Sequence, residues 1–213
     1  MNTMADRQTL ERSDGKLAMC WSCKGPVEAG ALFCTTCGIV QPPHAADHFQ
    51  RLGINRGFEI GDDVLSRHYF DLQARLHPDR FASRTATERA ASLAQATALN
   101  EAYQTLRDPL SRAAYLLQLA GIEAPTETSG TVNDPELLME SLERREALAQ
   151  AGSPEEISKI AGEAGANAKA CVGALGNAFA TGDLEDAKRL TTRLKYLNKL
   201  TEEARARLSR TPC

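Results

Sequence analysis

A proline set between two long amphipathic patterns limits this chain more than any other feature. Leu65, Tyr69, Leu72 and Leu76 recur at i, i+4, i+7 and i+11, the apolar stripe of one helix. Pro78 ends that helix, because it has no N–H to donate and its ring clashes with the preceding turn; it also pushes His77 out of the helical region. His77-Pro78-Asp79 is therefore expected to be an exposed connector of fixed geometry. Beyond it, Leu93, Ala96, Asn100, Tyr103 and Leu106 predict a second helix whose inner face packs antiparallel against the first. Arg67, Arg75, Arg80 and Arg84 lie on or just after the first helix, and Arg67 and Arg75 fall off its apolar stripe. Such a charge run is ordinarily a solvated face; beside this connector it reads as a docking surface for an acidic partner.

Upstream stand Cys20-Trp21-Ser22-Cys23 and, after ten residues, Cys34-Thr35-Thr36-Cys37-Gly38. Two Cys-x-x-Cys knuckles at this separation can place four thiolates at the corners of a tetrahedron. Gly25 and Gly38 follow the knuckles, where tight turns let backbone amides approach the sulfurs. A segment of about twenty residues cannot bury a core of its own, so a metal would supply its folding free energy. Disulfides do not suit a chain that otherwise reads as cytosolic. A thioredoxin-type redox pair needs a strand–helix setting that the sequence lacks. Structural zinc is favoured, and iron on the same four sulfurs stays open. His44 and His48 follow closely, but four thiolates already close the site. Cys171 falls on a helical stripe as a small core residue, and Cys213 has no evident partner.

The β-branched runs that announce a sheet are missing, and aromatics make up only 5% of the 213 residues, so the expected class is all-α. Residues 1–19 are polar and aperiodic, which predicts a disordered tail. Residues 20–43 form the cysteine segment, closing on the stiff spacer Ile39-Val40-Gln41-Pro42-Pro43. Residues 44–121 hold the helical hairpin, entered through a short helix with Asp47 as cap and Phe49 and Leu52 inside. Gly53 ends that helix, and Asp62 or Asp63 caps the next. Residues 122–133 read as a polar linker, and 134–213 as an antiparallel three-helix bundle. Its helices open at Asp134-Pro135, Ser153-Pro154-Glu155-Glu156 and Asp183. Ile157, Ile160, Ala164, Ala168, Cys171, Leu175 and Phe179 stripe the second; Leu190, Leu194, Leu197, Ala204 and Leu208 stripe the third. Gly162, Gly165, Gly173 and Gly176 weaken the second by roughly 1 kcal/mol each and allow a close helix approach. On the first bundle helix, Leu138, Met139 and Leu142 share a face with Glu143 and Glu146. Periodicity alone makes that face plain core.

Composition also narrows function. A net charge of −3 and a pI near 5.9 argue against a generic nucleic-acid binder. No run of eighteen apolar residues suggests a membrane span. The amino terminus has no apolar secretory core, and Asp6, Glu11 and Asp14 do not fit a transit peptide. A cytoplasmic protein is expected, or a mitochondrial matrix one whose presequence has been removed. No nucleophile–base pair, Gly-rich phosphate loop or open metal site is recognisable, so neither an enzyme nor a nucleotide-binding chain is expected.

A His-Pro-Asp turn joining two such helices resembles the J domain, the module that stimulates ATP hydrolysis by heat-shock protein 70 chaperones. The runs Phe70-Asp71-Leu72-Gln73-Ala74-Arg75-Leu76-His77-Pro78-Asp79-Arg80-Phe81-Ala82 and Leu99 to Leu117 resemble the HscB family, J-type co-chaperones of iron–sulfur cluster assembly. Tyr115-Leu116 stands where ordinary J domains often carry Tyr-Asp. The resemblance covers about residues 46–208, and the knuckles look like the amino-terminal extension of animal-type members. It implies a J domain plus a C-terminal three-helix bundle, preceded by a small zinc-ribbon-like segment on Cys20, Cys23, Cys34 and Cys37. It implies that His77, Pro78, Asp79, Arg67, Arg75 and Arg80 meet an HscA- or DnaK-type chaperone. It further implies that Leu138, Met139, Leu142, Glu143 and Glu146, with Lys195 and Tyr196, bind the IscU-type scaffold. Lys195-Tyr196 replaces what is often Arg-Phe, and Arg and Lys differ where a forked contact is needed. Neither nucleic acid nor membrane is an expected partner, while weak self-association stays compatible with this reading. Two rivals remain: a general J protein for unfolded clients, and a zinc-ribbon nucleic-acid protein. The second expects aromatic-flanked basic residues at the knuckles, where only Lys24 follows the first pair.

Overall fold

The computed structural model describes residues 18–28, 30–123 and 134–210. The expectations for residues 1–17, for linker residues 124–133 and for Cys213 lie outside the described residues. Within them the chain forms seven α-helices and one two-stranded ribbon, the all-α class expected. The ribbon pairs β1 (Ala18–Met19) antiparallel with β2 (Pro26–Val27). Ala18 and Met19, assigned from sequence to the tail, thus belong to the cysteine segment. A two-residue strand has no periodicity for a sequence to show.

The described residues of Met1–Ile54 and Ser66–Ala102 form one compact unit, and those of Asn55–Leu65 and Tyr103–Cys213 a second. In the first, α1 (His48–Leu52) opens on a capping box between Asp47 and Gln50 and buries Phe49 and Leu52. Next come α2 (Asp62–Leu76) and α3 (Ala86–Arg107), each of which runs through both units. Within the first unit they are antiparallel: Tyr69 Oη donates to Asn100 Oδ1 at 2.8 Å, and Ser92 Oγ to the Leu76 carbonyl at 2.7 Å. Asp62 and Asp63 lie in the first turn of α2 rather than before it, and the Gly61 carbonyl accepts the Leu65 N–H.

The inner face of α3 differs from its expected phase. Leu93 is 59% exposed and Asn100 is exposed, whereas Ser92, Gln95, Leu99, Ala102, Tyr103 and Leu106 are buried. Ser92 and Gln95 are polar, so a hydrophobic pattern passes over them; each is buried because it finds a partner, the carbonyls of Leu76 and Gln41.

In the second unit α4 (Pro109–Leu119) starts at Asp108, which accepts the Ser111 N–H, and packs on α7 (Leu184–Arg210). Between them in sequence come α5 (Pro135–Gln150) and α6 (Pro154–Thr181). The helices start where expected: Asp134 and Asp183 cap by side chain, and Ser153 with Glu156 makes a capping box. Gly182, at φ 75°, supplies the left-handed residue that turns α6 into α7. Leu148, Ala151, Ile157, Ala164, Leu200 and Ala204 form a shared core of α5, α6 and α7. Leu175 and Leu194 are also nearly or fully buried, each stabilising by roughly 1.5–3 kcal/mol. The expected close approach at glycines is not made at Gly162, Gly165 or Gly173, each of which faces open space. Only Gly176 meets a neighbour, the Glu59 carboxylate. Phe58 stacks on Phe179 at 5.4 Å, and the buried Arg112 guanidinium covers Phe58 at 4.9 Å.

Candidate functional site

Leu76, fully buried, and Phe81, 8% exposed, anchor the two ends of the connector; residues 77–80 between them are exposed. His77 adopts φ −54° and ψ 129°, outside the helical region, as the following proline requires. Its Nδ1 accepts the Asp79 N–H at 3.3 Å and lies 3.5 Å from Asp79 Oδ2. Pro78–Phe81 then closes a single 3₁₀ turn. The imidazole and the carboxylate are 54% and 90% exposed, so both are held in place yet open to solvent.

The arginines divide. Arg75, Arg80 and Arg84 line one groove, whereas Arg67, exposed two turns back on α2, lies outside it. The Arg75 guanidinium sits 5.2 Å from the centre of the Phe33 ring, and Arg80 Nη1 donates to the Ala74 carbonyl at 3.3 Å. No ion pair among the described residues involves Arg75, Arg80 or Arg84.

The four cysteines converge. Cys20 Sγ lies 3.8 Å from Cys37 Sγ and Cys23 Sγ 3.7 Å from Cys34 Sγ, with all four within 4.8 Å of one another. A tetrahedron with metal–sulfur bonds of about 2.3 Å has edges of about 3.8 Å, so this donor set could hold a metal ion. The knuckles repeat one geometry: the Lys24 N–H donates to the Cys20 carbonyl and the Gly38 N–H to the Cys34 carbonyl. Lys24, at φ 62°, takes the left-handed position of the first knuckle, a role Gly25 does not need. Gly25 is there for space, since a Cβ would lie 2.8 Å from Thr36 Oγ1. Its N–H donates to Cys23 Sγ, and the Ser22 N–H to Cys20 Sγ, both at 3.4 Å. Burial opposes a thiolate at Cys20, yet the N–H groups of Cys23 and Ser22 outweigh it and bring the thiol down to about 6. At Cys37 the Ile39 N–H pulls down, but burial and the three neighbouring sulfurs push the thiol up to about 12. Four sulfurs contending for protons in this way are what one cation relieves. His44 and His48 stand outside the cluster.

A buried polar relay ties the cysteines to the hairpin. Gln41, fully buried, donates through Nε2 to Cys20 Sγ at 3.3 Å; its carbonyl accepts Gln95 Nε2 at 3.0 Å. Gln95 Oε1 in turn accepts from Arg51 Nη1 at 3.4 Å. Neither Gln41, Gln95 nor Phe33 carries any signal in the sequence.

On α5, Leu138, Met139 and Leu142 are 38%, 59% and 63% exposed, while Leu137 and Leu148 supply its buried side. Glu143 and Glu146 are exposed beside them. Lys195 and Tyr196 on α7 are half-buried; Tyr196 faces a cleft between α5 and α7 with Leu137, Ser141 and Arg144. Glu140 closes this region by pairing with Arg144 at 2.8 Å and Arg193 at 2.7 Å.

A helical hairpin with an exposed His-Pro-Asp turn, followed by a three-helix bundle, defines a J-type co-chaperone. A family model described as the HSCB C-terminal oligomerisation domain matches residues 133–205. The chain is 37% identical over 197 residues to the mouse (Mus musculus) iron-sulfur cluster co-chaperone protein HscB, covering 91% of this chain and 83% of that protein. The crystal structure of human co-chaperone protein HscB superposes with a TM-score of 0.82 at 35% identity, covering 89% of this chain and 98% of that one. For the chaperone HscB from Vibrio cholerae the TM-score is 0.66 at 34% identity, covering 76% of this chain and 96% of that one. The chain belongs to the HscB family of iron–sulfur cluster co-chaperones.

Proposed function

We propose that the chain holds an IscU-type scaffold on the α5 ridge and delivers it to a heat-shock protein 70 chaperone of the HscA or DnaK type. His77-Pro78-Asp79 then stimulates that chaperone's ATPase. The observation that carries the reading is the exposure of Leu138, Met139 and Leu142 side by side on a helix of an otherwise packed bundle. A single exposed leucine is ordinary on a protein surface; three neighbours rimmed by Glu143 and Glu146 form a surface suited to a partner. Burial of the trio would supply most of the affinity, and the carboxylates would select a basic rim. Lys195 and Tyr196 add a second edge from α7. At the connector, Asp79 with Arg67, Arg75 and Arg80 presents mixed charge to the chaperone. Holding both partners raises the scaffold's effective concentration at the chaperone. The reaction accelerated is the chaperone's own, and no residue here is assigned a catalytic step. Cys20, Cys23, Cys34 and Cys37 hold zinc as a structural ion.

Calorimetric titration of the purified scaffold tests the ridge. Leu138→Ala, Met139→Ala and Leu142→Ala together should weaken binding about a hundredfold, at roughly 1 kcal/mol per anchor. Unchanged affinity would sink the ridge. His77→Gln should abolish ATPase stimulation with helix content retained, because the side chain is exposed; stimulation that persists would remove the connector's role. A broad client spectrum in pull-downs, rather than one small scaffold, would favour a general J protein.

A further inference from the structure

Gln41 is fully buried, and its backbone is clamped from both sides. Its N–H donates to the Leu32 carbonyl at 2.9 Å within the cysteine segment, and its carbonyl accepts Gln95 Nε2 from α3 at 3.0 Å. Pro42 behind it confines the backbone to extended conformations. The side-chain amide is held as firmly. Its Nε2 faces the carbonyls of Ile39 at 3.1 Å and Val40 at 3.4 Å as well as Cys20 Sγ at 3.3 Å. Turning the amide over would set Oε1 against two carbonyl oxygens, so the sulfur always meets a donor. As it stands, Oε1 is buried without a hydrogen-bond partner among the described residues, and the amide serves its neighbours as a donor alone. A metal-held thiolate, which has lone pairs and no proton, suits that donor. Gln95 is 1% exposed, and its own Oε1 is fixed by Arg51 Nη1 at 3.4 Å; Arg51 Nη2 donates to the carbonyls of His44 and Ala46. The cation polarises the Gln95 amide and strengthens its donation to Gln41. Every member of this series, from Arg51 to Cys20, lies in the first unit.

We propose that Gln95 is a positioning residue for the metal centre, acting through Gln41, so that metal binding and the packing of α3 share one equilibrium. The proposal rests on the reading that the four cysteines hold zinc. The Gln95 side chain bonds to Gln41 and Arg51; it fixes the Gln41 carbonyl, and Gln41 in turn aims its donor at Cys20. The coupling is reciprocal: whatever Gln95 adds to metal affinity, the metal returns as order in α3 around Gln95.

The test uses the full-length protein. Zinc content is measured first, and zinc affinity is then read by competition with a chromophoric chelator. Gln41→Met, which keeps the side-chain length and removes the donor, should weaken zinc binding about ten- to a hundredfold. With cobalt(II) in place of zinc, it should also move the sulfur-to-cobalt charge-transfer band to longer wavelength, since a thiolate without its N–H donor gives up charge more readily. Gln95→Met should weaken zinc binding about three- to tenfold and shift the same band less. Ser92→Ala is the control: it removes another buried bond of α3, to the Leu76 carbonyl, and should leave zinc affinity unchanged. Hydrogen exchange on the unaltered chain needs no variant to fold. Stripping the zinc should speed exchange of the amides of residues 92–98 by about threefold or more. Equal zinc affinity in Gln95→Met and the parent, or unchanged exchange at residues 92–98, overturns the proposal and leaves the metal reading intact. Equal losses in Ser92→Ala and Gln95→Met would also overturn it, assigning the effect to a general loosening of α3. A parent chain that takes up neither zinc nor cobalt sinks the metal reading and the proposal together.

Discussion

Thr85 and Glu88 close a reciprocal capping pair at the first turn of α3, directly after the connector. The Glu88 carboxylate accepts the Thr85 hydroxyl at 2.8 Å and its N–H at 3.1 Å, and the Glu88 N–H returns to Thr85 Oγ1 at 3.3 Å. The Thr85 hydroxyl first, and its N–H next, hold the Glu88 carboxyl below its ordinary 4.5. Its proton affinity is therefore lower in the folded chain, so this contribution is complete above pH 4.5 and is lost as pH falls through the depressed value. Thr85→Ala should lower stability by about 1 kcal/mol at neutral pH and flatten the acid limb below it, as measured by thermal melts across pH. At this scale the caps at Asp47, Asp108, Asp134, Ser153 and Asp183 are readable from residue order, because each bond spans only a few positions. Gln41 and Gln95 are not readable: they meet across 54 residues, and only the fold brings them together.

Helix α6 shows how a whole element can be recognised while its contacts are misjudged. Its stripe from Ile157 to Phe179 and its start at Ser153 follow from spacing and cap chemistry. Its glycines suggested a close neighbour, yet Gly162, Gly165 and Gly173 face open space and keep ordinary helical φ. Substitution there should therefore help. Gly162→Ala, Gly165→Ala and Gly173→Ala should each stabilise by about 0.5–1 kcal/mol, moving the urea midpoint upward with the slope unchanged. For α5 the ambiguity was of another kind. Periodicity places Leu138, Met139 and Leu142 on one face but cannot say whether a neighbour covers it, and the structure leaves all three exposed. In α3 the phase slipped because two buried positions are polar.

At the scale of the whole molecule, the cysteine segment rests on a small apolar cluster. Cys20, Val27 and Cys34 form it, with Ala31 and Ile39 partly buried against them, and Leu32 and Val40 are buried as well. If zinc fills the four-cysteine site as proposed, its removal with a strong chelator should leave amides of residues 18–28 and 30–41 exchanging freely with solvent while the helical circular-dichroism signal is largely kept, since the described helices begin at His48. Continued protection of those amides would show that the ion is not what holds the segment. Losing Gln41 from its place should also strip the buried Gln95 amide of its acceptor, at a cost of about 1–3 kcal/mol to the hairpin. No helix among the described residues is long and apolar enough to cross a membrane. The separation of 54 positions between Gln41 and Gln95 also sets a timetable during synthesis. At about 5–20 residues per second, the ribosome releases the four thiols roughly 3–15 seconds before Gln95. In that interval the nascent cysteines stand without the support that Gln41, held by Gln95, gives Cys20 in the folded chain.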